Sequence, residues 1–164
     1  MDKNLDTLKN FIEHYFINEI DRLNKNNFGY FSFVIIAQAI EMLGAALDDK
    51  PFRAKNQSRK RFELGIRALF DERYRQLNAN GWLYENFRCN MSHLFVPSNA
   101  ILLLTKKQAT ENETHLSKKD DTVIFIAEDF QKDLRKACLF FLKKMDKGQI
   151  KAKKIGGSFE NHIL

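Results

Sequence analysis

Apolar residues recur every three or four positions from Leu5 to Leu23 (Leu5, Leu8, Ile12, Phe16, Ile20 and Leu23), the spacing of one face of an amphipathic helix. The polar run Asn24-Lys25-Asn26-Asn27, followed by Gly29, ends it. A second helix, from about Tyr30 to Leu47, is apolar on nearly every side, and a helix of that kind belongs at the centre of a fold. Ser32, Gln38, Glu41 and Gly44 interrupt its apolar run, which favours a core helix over a membrane span. Asp48-Asp49-Lys50-Pro51 stops it, and a third helix is expected from about Ser58 to Leu77 with Phe62, Ile66, Leu69 and Phe70 inward. After the turn Asn78-Ala79-Asn80-Gly81, a fourth helix from about Trp82 to His93 carries Leu83, Tyr84, Phe87 and Met91 as its apolar stripe, and Pro97 follows it.

Beyond Pro97 the period changes. Ala100 to Leu104 and Thr122 to Ile126 are short apolar runs joined by a polar stretch, which predicts a β-hairpin over residues 98–127 with a long tip. Glu128 and Asp129 open a last helix, where their charge suits the N-terminal dipole, with Leu134, Cys138, Phe141, Leu142 and Met145 inward. The pattern therefore describes a mainly α chain: one domain over residues 1–147, a bundle of about five helices with a β-hairpin inserted before the last. Residues 148–164 have no helical or strand period and read as a basic C-terminal tail.

Composition sharpens this in three ways. Hydrophobic residues make up 44% of the 164, with 15 phenylalanines, enough for a packed core; the phenylalanines are assigned to that core rather than to a base-stacking platform. The two cysteines, Cys89 and Cys138, are far apart and have no Cys or His at ligand spacing, so neither a disulfide framework, nor a metal site, nor a cofactor is expected. A cytoplasmic setting without membrane attachment fits, since the start of the chain is acidic and lacks an apolar leader. The net charge of +6 is unevenly spread. Residues 1–49 hold 4 basic and 8 acidic groups, whereas residues 50–75 hold 9 basic and 3 acidic. Within the second segment Arg59, Lys60, Arg61 and Arg67 are the candidates for a nucleic-acid path. A solvated charged face is the competing reading of the same residues.

Candidate chemistry concentrates at Arg88-Cys89-Asn90-Met91-Ser92-His93. An arginine presents a rigid fork of donors to a phosphate, and a histidine titrates near neutrality. Both fall off the apolar stripe. On an ideal helix they lie about 140° apart, so one helix does not aim both at one atom; either it ends early or two copies meet. Asn90 and Ser92 fall on the same arc off the apolar stripe. Glu41, an acid in an otherwise apolar helix, calls for an arginine, with Arg88 as its partner; Glu85 is the alternative partner. His14, His115 and His162 are expected at the surface.

The three helices followed by Tyr84-Glu85-Asn86-Phe87-Arg88-Cys89-Asn90-Met91-Ser92-His93 and a proline resemble the HEPN family, small helical bundles with Arg, four to six residues, then His on a late helix. The resemblance extends to a subset of small uncharacterised bacterial proteins. It implies a homodimer in which motif helices pair, and RNA or a nucleotide as ligand, with an antitoxin-like protein as a further partner. It also implies metal-independent endoribonuclease chemistry in which His93 acts as general acid or base and Arg88 stabilises the phosphate. Active ribonucleases of the family carry Asn, Asp or His directly after the arginine, where this chain has Cys89. That departure carries the alternative, a non-catalytic dimerisation or interaction module.

Overall fold

A computed structural model describes residues 3–151, and the chain over that range is mainly helical with one small sheet. The first helical stretch runs through α1 (Lys3–Phe11), a π-helical segment π1 (Ile12–Glu19) and α2 (Ile20–Lys25). Its inward residues Leu8, Ile12, Phe16 and Ile20 are spaced by four, and all are buried. In a pure α-helix each step of four would carry the stripe about 40° round the axis. The wider π turns take that drift back, so the stripe stays on the core. Asn27 then ends the stretch in the left-handed region (φ 64), with Phe28 N donating to Leu23 O and Asn27 N to Asn24 O, the hydrogen-bond pair of a Schellman cap.

The central helix is α3 (Gly29–Leu47), buried along most of its length by α4 (Ser58–Leu69), α7 (Ala127–Asp146) and the first stretch. It has the length and composition of a membrane span, yet the other helices pack around it. α3 and α4 cross at two glycines. A Cβ on Gly44 would sit 1.8 Å from the Arg61 carbonyl oxygen, and one on Gly65 would sit 2.4 Å from that of Ile40. Gly44→Ala is therefore expected to destabilise the fold by at least about 1–3 kcal/mol, read as a lower denaturant midpoint; an unchanged midpoint would mean that the helices can separate freely here.

Where one third helix was expected, the chain makes two. α4 stops at Leu69, Phe70 is extended, and Asp71 caps the short α5 (Glu72–Leu77) by accepting from Arg73 N. Asp71 is an N-cap, and local side-chain hydrogen bonding outweighs helix continuity there. A 3-10 turn (Ala79–Gly81) leads to the motif helix, Trp82 to Leu94, whose middle is a second π segment, π2 (Tyr84–Cys89), followed by α6 (Asn90–Leu94).

The sheet also differs from the expected hairpin. β1 (Ile101–Leu104) pairs parallel to β3 (Thr122–Ile126), with Ile101 opposite Val123. The two-residue β2 (Lys118–Lys119) lies antiparallel on the other side of β3, giving the order β1-β3-β2. A parallel pair needs a crossover of about a dozen residues or more, and Thr105 to Asp121 is long enough to supply it. β3 is buried from Val123 to Ile126, so the alternation that would have betrayed an exposed hairpin face is missing. The crossover folds back along β3, with Leu116 N donating to Ile124 O at 2.7 Å. α7 ends in another Schellman cap at Gly148, with Gln149 N bonded to Lys144 O, and Ile150 returns to the core at 5% exposure. The start of the expected tail is thus part of the domain; the rest of it, residues 152–164, lies outside the described residues.

Candidate functional site

The motif helix is set by clamps at both ends. At its start Arg59 donates to the Asn80 carbonyl at 2.7 Å and bridges Glu63 at 2.9 Å and Glu85 at 3.1 Å. Gly81, at φ 78, is required there: a Cβ would lie 2.3 Å from the Arg59 guanidinium. At its end Phe95 turns into the left-handed region (φ 61), and the Tyr30 hydroxyl donates to its carbonyl at 2.5 Å. Ser98 then folds back, its N–H donating to Asn86 O and its hydroxyl to Asn86 Oδ1.

Between the clamps, Leu83, Phe87 and Met91 are fully buried, against a core that includes the equally buried Ile36, Ile40 and Leu43. The four-residue spacing that aligns them also aligns a second row, Tyr84, Arg88 and Ser92. Each member of that row has a polar partner on α3 or α4. Arg88 Nε lies 2.6 Å from Glu41 Oε2, with 13% and 21% of the two side chains exposed. The Nε–H does not point along a hydrogen bond to any acceptor, so the contact is a close ion pair without directed hydrogen bonding. Glu41 Oε2 accepts from Ser58 Oγ at 2.7 Å, and Ser58 Oγ accepts from the Tyr84 hydroxyl at 3.1 Å. The Arg88 guanidinium also stands over the Tyr84 ring, 5.7 Å from its centroid. Gln38 Nε2 donates to Ser92 Oγ. Partial burial raises the Tyr84 hydroxyl pKa; its bond to Ser58 works the other way, and the thiol of Cys89 beside it adds to the rise.

Arg88 is thus the charge partner of Glu41, as its sequence environment suggested, while Glu85 belongs to Arg59. Among the described residues the two terminal guanidinium nitrogens of Arg88 have no hydrogen-bond acceptor. His93 is exposed and has no ion pair or hydrogen bond among the described residues. The structure therefore turns Arg88 toward α3 and His93 toward solvent. It gathers Glu41, Arg88 and Ser92 on one seam and leaves Asn90 off it, since the Asn90 amide donates to the carbonyls of Glu85 and Asn86 in its own helix.

The four basic candidates separate. Arg61 is buried and fully engaged: Nε donates to Asp48 Oδ2 at 2.6 Å and the other two nitrogens to the carbonyls of Phe52 and Pro51. It ties down the chain between α3 and α4 and is not available to a phosphate, a correction to its assignment on the path. Arg59 is occupied as described. Lys60 and Arg67 are exposed, but they share a shallow depression with Asp48, Asp49 and Glu63, so the local field there is mixed.

Two features escaped sequence reasoning. His115 is not a surface residue. The returning crossover seats it against the rings of Tyr74, Phe125 and Phe130, with 7% of its side chain exposed. Its Nδ1 accepts from Ile126 N at 2.9 Å, so the neutral ring carries its proton on Nε2, 2.8 Å from the Tyr74 hydroxyl, which in turn donates to Asp133 at 3.0 Å. Nothing in the polar stretch around His115 signals this burial. The second feature is aromatic exposure: Phe28 (54%), Phe31 (51%) and Phe95 (55%) stand in solvent, against the expectation that the phenylalanines are all core. Leu94 and Val96 beside Phe95 are exposed too, as is Tyr30, whose hydroxyl reaches the Phe95 carbonyl at the end of the motif helix. No protein-family model, no curated protein and no solved structure matches this chain.

Proposed function

We propose that this chain is a HEPN-like, cytoplasmic RNA-binding domain that works as a homodimer, with metal-independent endoribonuclease chemistry at a cleft built from Arg88 and His93 of both copies. The observation that carries the reading is the position of His93. It is an unpartnered histidine followed at once by Leu94, Phe95 and Val96, at 65%, 55% and 51% exposure. A contiguous exposed apolar group of this kind marks a protein contact surface, and a second copy seated on it brings a second motif helix to the first. Within one chain, Arg88 and His93 face apart; across a two-fold axis the set is completed.

In that cleft the free guanidinium nitrogens of Arg88 hold non-bridging phosphate oxygens, and the charge on Glu41 fixes the fork's orientation. One His93 accepts the proton of a ribose 2′-hydroxyl as its oxygen attacks the adjacent phosphorus. The bond from phosphorus to the 5′-oxygen breaks, that oxygen takes a proton from the other His93, and a 2′,3′-cyclic phosphate remains. Cys89 leaves out the polar residue expected after the arginine, and Tyr84 and Ser58 supply hydroxyls on the same seam.

The test is cleavage of a panel of single-stranded RNAs with EDTA present, with the product ends identified. The expected result is cyclic phosphate ends and loss of cleavage by about 10²-fold or more in His93→Ala. That variant is the decisive one because His93 is exposed and makes no contact that holds the fold. Arg88→Gln should fail equally. A wild-type dimer that cleaves nothing favours the second reading, a non-catalytic module. The specific support for that reading is the Arg88–Glu41 pair, which already neutralises the arginine. Cleavage retained in both variants would make the two residues structural.

A further inference from the structure

Beside the end of the motif helix a cavity of about 500 Å³ opens between the end of α2, the start of α3 and the segment after β1. It shares a wall with the proposed site, because Tyr30 lines it while its hydroxyl holds the Phe95 carbonyl two residues after His93. The other polar lining is unusual in being amide-rich. Asn24 Oδ1 accepts from the Ser32 hydroxyl at 2.6 Å, and its Nδ2 is out of solvent with no acceptor among the described residues. Gln108 spends its carbonyl on the backbone and hydroxyl of Thr105, both at 2.9 Å, so its Nε2 is the free end. The Asn27 amide and the Lys107 ammonium have no partner among the described residues. Glu128 has one carboxylate oxygen bonded to Lys106 N at 2.8 Å and the other left over.

This wall has more donors than acceptors, one flat aromatic face and one uncommitted cation. Side-chain amides hydrogen-bond the edges of an unstacked base, an exposed ring stacks on its face, and an ammonium holds a phosphate as a point charge. The volume is within the range of small-ligand sites. We infer that this cavity takes one unpaired nucleotide of a single-stranded RNA, its base carbonyls on Gln108 and Asn27, its ring against Tyr30 and its phosphate at Lys107. The inference rests on the RNA reading above for the polymer, and on the cavity alone for the nucleotide. Because the free amide end of Gln108 is a donor and its carbonyl is already taken by Thr105, a base edge with two carbonyls is preferred; adenine can offer a ring nitrogen to the donor, but its N6 amino group finds no free carbonyl beside it.

The experiment is a titration of the full isotope-labelled chain, observed by nuclear magnetic resonance, with uridine 5′-monophosphate, adenosine 5′-monophosphate and inorganic phosphate. The expected result is that the uridine nucleotide shifts the side-chain amide signals of Asn24, Asn27 and Gln108 and binds more tightly than the adenosine nucleotide. Lys107→Gln, an exposed change, should weaken it about five- to tenfold, and Gln108→Ala should narrow the difference between the two bases. Equal binding of both nucleotides, shifts that map elsewhere, or the same pattern from phosphate alone would each overturn the inference. A wild type that cleaves RNA but shows no shifts here loses the nucleotide pocket and keeps the Arg88/His93 chemistry. One that binds uridine nucleotide here yet cleaves nothing keeps the pocket and loses the ribonuclease.

Discussion

Replacing Phe87 by alanine is expected to lower the unfolding free energy by about 3–5 kcal/mol, read from the shift of a denaturant midpoint at constant slope. The ring is fully buried and touches three other elements at once. It meets Phe33 of α3 edge-on at 6.5 Å, stacks nearly parallel on Phe125 of β3 at 5.7 Å, and tilts against Phe130 of α7 at 5.5 Å. Those partners belong to elements fixed by one another, so they cannot close over the vacated space, and the cavity term adds to the lost transfer energy. The same residue seats Arg88, its neighbour, on the seam with Glu41. A loss below about 1 kcal/mol, the range of an average substitution, would show that the ring cluster is not what holds the motif helix in place.

The second large effect concerns acid. Burial pushes the His115 imidazole down to about 4, against the opposing pull of Asp133, whereas in the unfolded chain it titrates near 6.5. Between those values the unfolded chain binds the additional proton, so stability rises with pH there. The contribution is complete above about pH 6.5 and is lost as the pH falls toward 4; two and a half pH units correspond to about 3 kcal/mol. Protonation also has a local mechanism: Nδ1 would become a donor facing the Ile126 N–H that now donates to it. Asp71 and Asp129, which burial raises and which Arg73 and Lys106 bring below the ordinary carboxylate range, contribute stability that is fully present above the ordinary carboxylate pKa of about 4 and is lost only as the pH falls below it. Chemical denaturation at a series of pH values should therefore show the slope between 6.5 and 4 in the wild type and a much flatter one in His115→Gln. An equal slope in both would place the titration elsewhere.

The seam of Glu41, Arg88 and Ser92 shows how far side-chain type and spacing carry. The acid in an apolar helix demanded a cation, and Glu41 found the arginine that its burial called for. Neither residue alone specified the relay through Ser58 to Tyr84, because α4 reaches α3 only through the close approach at Gly44 and Gly65. The same approach decides Arg61. In the sequence it is one of four similar basic residues; in the fold it is the one whose turn of α4 faces Asp48 and two backbone carbonyls.

What the chain determined by itself was the set of helices, their inward faces and the off-stripe position of Arg88 and His93, because these follow from side chains a few residues apart on a common axis. The π segments were foreshadowed in the repeated spacing of four, which an α-helix alone would have let drift. The direction of strand pairing, the burial of His115 and the exposure of Phe28, Phe31 and Phe95 were decided only in three dimensions. Two apolar runs pair equally well in either direction until the docking of α7 fixes where β3 must point, and a polar loop leaves a histidine in solvent until the crossover wraps it onto β3. Apolar residues mark what is able to be buried; which of them find a partner within the chain depends on contacts between segments far apart in sequence, and those that do not are left for something outside it.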